Sequence, residues 1–370
     1  MKKNKTYEAL RILLNVSRIV SSSLDLKKVS KLVLKESMKA LGSDHASVFV
    51  IDEASDHLML VQARGLTRDQ VDNIKVLGSW EAINEQLLKK KRPIIINDVK
   101  ANRIFKRKRL PFSPHEKMLI QSFLAVPLQK DRKVVGALIV SNKKRPGHAF
   151  RKEDQRLISA LSNHIAAAVQ NARLYERLKS LFLSTVKSLV RAIEAKDAYT
   201  RGHSERVMKY GLAIGRQLKL KGEVLNNLGL SSLLHDVGKI GVREKVLYKP
   251  GKLSVRERDK ISLHPQIGRD IVENIDGSDG IIRGIVEHHE RYDGNGYPNR
   301  LKGNQISLEG RIIAIADTFD ALTTNRPYQK KFTGKEAIFA ILKDTSIYFD
   351  PKMVRAFIKS FSAEPDTWKT

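Results

Sequence analysis

The chain has no cysteine among its 370 residues. Disulfides, thiolate metal sites and thioether-linked chromophores are therefore excluded, and any metal must sit on nitrogen and oxygen ligands, a set that suits Fe, Mn, Zn, Ni or Co. No segment approaches the ~18 uncharged apolar residues of a spanning helix. The basic start, Met1-Lys2-Lys3-Asn4-Lys5, resembles the head of a secretion signal, but Arg11 and Arg18 interrupt the apolar run behind it. No signal peptide is expected, and the cytoplasm is the expected compartment. Acidic residues are the scarce charge: 40 Asp and Glu stand against 68 Lys and Arg, a formal net charge of +28. That balance favours anionic partners. Many of the basic residues clump in Lys89-Lys90-Lys91-Arg92, Lys106-Arg107-Lys108-Arg109 and Lys143-Lys144-Arg145. These clumps carry no interleaved aromatics and no nucleic-acid motif, so solvated loops are expected and nucleic acid is not an expected partner.

What is present is a globular composition, 41% hydrophobic and 29% charged, in a chain long enough for two or three domains with real cores. The first half alternates helical and strand signals. Apolar residues recur at helical spacing through Leu10, Leu13 and Leu14 and again through Val29, Leu32 and Val33. Short β-rich runs follow at Ser47–Ile51, Leu58–Val61, Pro93–Ile96, Ser122–Val126 and Val134–Val140. The pattern predicts an α+β domain of about five or six strands with flanking helices.

From Glu153 to Ala198 there is no Pro or Gly, and Leu157, Leu161, Ile165, Ala168, Ala172, Tyr175 and Leu178 repeat at spacings of three and four. One long helix is expected, packed on its own domain at its start or coiled with a partner helix. A helical joint, unlike a Gly/Ser linker, can carry a shift from one domain to the next. Beyond Ala198 strand signals largely vanish and an all-α domain is expected.

That second half holds the chemistry. Leu234-His235-Asp236-Val237-Gly238-Lys239 is preceded by His203 and followed by His264, His288-His289 and Asp317. Seven imidazoles and carboxylates are too many for one tetrahedral site and suit two octahedral ones sharing the Asp236 carboxylate. Two metals about 3.5–4 Å apart polarise a phosphoryl oxygen and lower the pKa of a bridging water, which is what phosphodiester hydrolysis needs. Lys239 stands four residues after His235, one helical turn on and on the same face, where its ammonium could hold a phosphate oxygen.

With Glu194-Ala195-Lys196-Asp197, Tyr199-Thr200-Arg201-Gly202-His203, His264-Pro265, His288-His289-Glu290-Arg291-Tyr292-Asp293-Gly294-Asn295-Gly296-Tyr297-Pro298, Ala316-Asp317-Thr318-Phe319-Asp320, Arg326-Pro327-Tyr328 and Phe349-Asp350-Pro351, the second half resembles the HD-GYP branch of the HD-domain phosphohydrolases. The resemblance implies hydrolysis of cyclic di-GMP to the linear dinucleotide pGpG, and onward to GMP. It implies that His203, His235, Asp236 and Asp317 hold one metal and Asp236, His264, His288 and His289 the other, with Fe or Mn expected. It implies Lys239 on phosphate, Gly296-Tyr297-Pro298 lining the substrate pocket and Arg326 contacting the dinucleotide. Glu194, Asp197, Asp293 and Asp320 are candidates to support the ligands from behind, and any one of Asp197, Asp293 and Asp320 could equally cap a helix. Two departures matter: Tyr199 stands where some members have a Glu for a third metal, so two metals are expected. Gln329 follows Arg-Pro-Tyr and displaces the usual basic contact to Lys330. Hydrolysis of another cyclic dinucleotide, or a receptor without turnover, are the alternatives.

The first half resembles a GAF sensory domain through Asn97-Asp98-Val99, Ser122–Leu128, Val135-Gly136-Ala137-Leu138, Asn142-Lys143, Phe150, Asp154 and the helix ending at Tyr175. The resemblance implies an antiparallel sheet with flanking helices and a pocket for a small molecule whose identity is not legible. His45, His57 and His115 lack a haem-type partner motif, and haem is not expected. The expected organisation is a GAF domain over 1–175, a linker helix over 153–198 overlapping both domains, and an all-helical HD-type domain over 185–370. A homodimer through the linker helix is the expected route from sensor to catalyst.

Overall fold

The computed structural model describes residues 7, 10–12, 14–18, 25–73, 85–99, 101–102, 120–143, 149–195, 202–247, 249, 251, 254–324 and 331–368. The chain divides into two compact units, Met1–Ser180 and Leu181–Thr370.

The first unit is built on an antiparallel sheet of β1 (Ser43–Ile51), β2 (Leu58–Arg64), β3 (Ile94–Ile96), β4 (Phe123–Lys130) and β5 (Lys133–Lys143), in the order β2-β1-β5-β4-β3. The five strands coincide with the five β-rich runs read from the sequence. Alternation explains why: side chains on a strand point to opposite faces with period two. Leu124, Val126 and Leu128 enter a core with Val29, Val33 and Leu34 of helix α1 (Leu26–Leu41) and Ile158, Leu161 and Ile165 of a later helix. Their neighbours Phe123 and Ala125 join Phe49, Leu87, Ile96 and Ile139 on the other face. α1 starts on the Asp25 side chain, which accepts from the Lys27 and Lys28 amides, and stops at Gly42, whose left-handed φ of 60° suits glycine. A short α2 (Arg68–Asn73) follows β2.

The asparagines that carry the GAF resemblance serve the backbone. Asn97 accepts from the Phe150 amide at 2.7 Å and Asn142 from the Gln121 amide at 2.7 Å, so each staples a loop to the sheet.

Helix α3 (Lys152–Glu194) is 43 residues long. Its early apolar residues are buried, whereas Leu174, Tyr175, Leu178, Leu181, Phe182 and Leu189 are exposed.

The second unit is helical, as read from the sequence: α4 (His203–Gln217), α5 (Gly222–Leu234), a 3-10 turn (Val237–Gly241), α6 (Glu244–Leu247), α7 (Val255–Ile261), α8 (His264–Val272), α9 (Asp279–Glu287), α10 (Leu308–Thr323), α11 (Gly334–Lys343) and α12 (Pro351–Ala363). No strand occurs there among the described residues. Its main core joins α4, α5, α10, α11 and α12 through Tyr210, Leu228, Ile312, Phe319, Ile341 and Phe357. Tyr210 stacks on Trp368 with ring centroids 4.7 Å apart. Such packing fixes where the ends of α4 and α5 and the middle of α10 meet, and that is where the polar residues gather. Among the described residues no helix is long and apolar enough to cross a membrane.

Candidate metal centre

Five segments deliver the cluster: the start of α4 (His203), the end of α5 (His235, Asp236), the start of α8 (His264), the end of α9 (His288, His289) and the middle of α10 (Asp317). The junction at His235 differs from the sequence expectation. Asp236 leaves helical geometry (φ −99°, ψ 4°) and a 3-10 turn follows, so His235 and Lys239 do not share a helix face. Gly238 explains the break. A Cβ there would run into the His264 carbonyl oxygen and the Gly268 amide, so only glycine lets the turn close against α8. That approach sets His264 Nε2 3.4 Å from Asp236 Oδ1.

The imidazoles share one orientation. Nδ1 of His235 lies 2.8 Å from the Ser232 carbonyl, Nδ1 of His264 2.7 Å from that of Ile261, and Nδ1 of His288 2.7 Å from that of Ile285. A carbonyl only accepts, so each Nδ1 carries a proton and Nε2 is the nitrogen left to face the centre. His203 is turned the same way by Asp320, 2.7 Å from its Nδ1. The Nε2 atoms then face each other: His203 and His235 at 3.3 Å, and His264 and His288 at 3.3 Å. Nitrogens so close are held together best by a cation or a proton between them. Asp236 spans the two pairs, with Oδ2 3.5 Å from His235 and 3.7 Å from His203 while Oδ1 faces His264. Asp317 Oδ1 is 3.3 Å from His203 Nε2. Three overlapping ligand groups result: His203, His235 and Asp317; His235, Asp236 and His288; and His264, His288 and His289. The donor set therefore fits divalent metal ions on nitrogen and oxygen ligands.

Electrostatics agree. Burial, with the neighbouring imidazoles, drives His288 well below its ordinary pKa, and burial brings His289 down to about 4 and lowers His264. These three rings stay neutral at neutral pH, as ligands must. Burial would lower His203 too, but Asp317 and Asp320 outweigh it and raise its pKa to about 10. Burial likewise works against the ionised forms of Asp236 and Asp317. Lys239 and the surrounding histidines nevertheless hold Asp236 low, and His203 holds Asp317 low.

The remaining predicted residues fall into three groups. Some support the cluster: Asp320 joins His203 to Arg206, whose Nε is 2.6 Å away, and Glu194 accepts from the Gly202 and Ser204 amides at 2.7 and 2.8 Å, capping α4 around His203. Lys239 Nζ reaches the centre and stands 2.5 Å from Asp236 Oδ2. Tyr297 stacks on His289 with centroids 4.8 Å apart, followed by Pro298. Gly296 is packed so closely on Glu290 and Arg291 that a Cβ has no room. A second group is not brought to the imidazoles: the described bonds of Asp293 go to Arg291 and Asn295. Asp197, Arg326 and Lys330, with Tyr199 and Gln329, lie outside the described residues.

Sequence reasoning missed several contributors. The Ser232, Ile261 and Ile285 carbonyls orient three rings and leave no side-chain signal. Buried Glu290, which accepts from the Asn299 and Leu301 amides at 2.7 and 3.1 Å, folds the loop after the His pair. Arg206 was discoverable, because it lies three residues after His203 on one helix.

Residues 187–353 match the family described as HD domain and residues 23–170 that described as GAF domain. The chain is 35% identical over 207 residues to the cyclic di-GMP phosphodiesterase response regulator RpfG of Xanthomonas campestris pv. campestris, covering 55% of this chain and 53% of that protein. It is 34% identical over 221 residues to the 3'3'-cGAMP-specific phosphodiesterase 3 of Vibrio cholerae, covering 58% and 48%. This chain thus spans about half the length of these curated relatives. Among solved structures, the GAF domain of a phosphoenolpyruvate-protein phosphotransferase from Coxiella burnetii aligns with a TM-score of 0.40 at 24% identity, covering 46% of this chain and 98% of that one.

Proposed function

We propose that this chain, a GAF domain over residues 23–170 followed by an HD domain over residues 187–353, is a metal-dependent phosphodiesterase that opens a cyclic dinucleotide. The observation that carries the reading is the convergence of four imidazole Nε2 atoms around one shared carboxylate, Asp236. Cyclic di-GMP is the proposed substrate and the linear dinucleotide pGpG the first product, with GMP following from a second cut. The name of the Vibrio cholerae relative favours a second reading of the same chemistry, with 3'3'-cGAMP as substrate.

In this reading two ions, Fe or Mn, would be held, one by His203, His235, Asp236 and Asp317 and the other by Asp236, His264, His288 and His289. Bound divalent ions supply polarisation of a phosphoryl oxygen and a lowered pKa for a coordinated water. The chain's own residues do the rest. The three backbone carbonyls and Asp320 hold the imidazoles in one tautomer. Lys239, 2.5 Å from Asp236, is near enough to turn its ammonium to a non-bridging phosphate oxygen. The Tyr297 phenol, kept protonated by burial and by the Asp236 and Asp317 carboxylates, offers a donor beside His289. Arg326 and Lys330 are proposed to contact the dinucleotide.

Purified full chain incubated with cyclic di-GMP and 3'3'-cGAMP in parallel tests the reading: faster turnover of one names the substrate, and tight binding without product from metal-replete protein would make the chain a receptor. We also propose a homodimer through α3, supported by its exposed Tyr175, Leu178, Phe182 and Leu189 at spacings of three, four and seven, and regulation through a small molecule on the GAF domain. A monomer in light scattering at micromolar concentration, with and without substrate, would remove the dimer.

A further inference from the structure

The loop of residues 290–298 carries Tyr297 to the face of His289, where the Tyr297 amide also donates to the His289 carbonyl at 3.3 Å. Glu290 closes its base by accepting from the Asn299 and Leu301 amides, and Asp293 gathers Arg291 and the Asn295 amide. The turn between α11 and α12 ties the middle of the loop to the rest of the helical unit. There the Tyr292 amide donates to the Tyr348 carbonyl at 3.1 Å and the Asp293 amide to the Ile347 carbonyl at 2.9 Å. The Arg291 guanidinium lies over the Tyr348 ring, 3.7 Å from its centroid, while its edge bonds the Asp293 carboxylate at 2.5 and 3.1 Å. A planar cation held by a carboxylate in its plane and an aromatic face beneath it has little freedom left. Tyr348 is still 43% exposed, so removal of its ring need not disturb the core.

We infer that Tyr348 is a positioning residue for the substrate-side loop: through Arg291 and Asp293 it steadies the loop that carries Tyr297 to His289, adding to the bond between the Tyr297 amide and the His289 carbonyl. The inference rests on the phosphodiesterase reading for its kinetic consequence and on the geometry alone for its mechanical one. The sandwich needs the ring and not the hydroxyl.

The experiment compares full-length parent, Tyr348→Ala and Tyr348→Phe by hydrogen exchange at the 290–298 amides, and by KM and kcat for cyclic di-GMP. In Tyr348→Ala, exchange in this loop and KM should each rise by roughly three- to tenfold, the scale of one cation–π contact. kcat and metal content should change less, and Tyr348→Phe should match the parent. Unchanged loop exchange in Tyr348→Ala, a rise spread evenly over the whole helical unit, or a Phe variant that behaves like Ala would overturn the inference. An unchanged KM in an active Ala variant would do so as well. Should the parent turn over no cyclic dinucleotide, the phosphodiesterase reading fails on its own, and the exchange measurement alone decides the clamp.

Discussion

The two units bury different things. In the first, both faces of the sheet are filled with hydrocarbon, from Leu124, Val126 and Leu138 on one side to Phe49, Phe123 and Leu87 on the other. In the second, His203, His235, His264, His288 and Asp320 lie buried among the helix ends. Burying apolar surface is its own reward, whereas a buried imidazole or carboxylate must be bonded at every turn. The helical unit meets that demand with backbone carbonyls, Asp320 and Arg206. The Nε2 atoms are what is left over after structure has taken its share, and they converge.

Mutations can break this contrast. The largest effect is expected from Asp236→Ala, which removes the oxygen donors common to both histidine pairs. Losing several kcal/mol of charge stabilisation corresponds to a fall in kcat of roughly a thousandfold or more, and metal analysis should show less bound ion. By contrast, Leu124→Ala in the sheet core should cost about 2–5 kcal/mol of that unit's stability, read by denaturant unfolding, while the helical unit keeps its metal. Next comes Gly238→Ala: the new methyl meets the His264 carbonyl, so the turn must shift. A loss of about 1–3 kcal/mol is expected in thermal or chemical melting, with weaker metal retention on dialysis against a mild chelator. Asp320→Asn keeps an acceptor near His203 Nδ1 but removes the charge; metal affinity should fall by roughly 10–100-fold, by competition with a chelating dye.

The smallest effect is on pH. In metal-free protein His203 titrates at about 10, above its ordinary value near 6.5. Its ion pairs therefore add stability that is complete below about pH 6.5 and is lost as pH rises through about 10. Melting temperature of the metal-stripped chain should fall over that window. A metal on Nε2 must displace the same proton, so apparent affinity should rise with pH across it. Titration calorimetry in buffers of different ionisation enthalpy would read the released proton.

The same contrast governs what could be read in advance. Strand alternation and helical spacing are local, so β1 to β5 and the all-helical second unit were legible. The histidines and Asp317 were legible as chemistry-bearing types in a dense order. The local geometry at Asp236 was not. No residue between Leu230 and Asp236 announces a break, because the break is imposed by Gly238 packing on α8, a contact 26 residues away in sequence at His264. Asp293 was expected to brace an imidazole, but an Asp two residues before an available amide tends to bond that amide, and here it does so at Asn295. Orienting carbonyls belong to every residue type and are invisible until the helices end where they do.

The central claim is that this histidine cluster is a working metal centre. Its most direct test is metal analysis of full-length protein purified without chelator, beside a product assay with cyclic di-GMP and 3'3'-cGAMP. The account predicts about two transition-metal ions per chain and a linear dinucleotide product that vanishes in His235→Ala/Asp236→Ala. Protein that is folded, takes up no divalent metal and cleaves neither dinucleotide would contradict it.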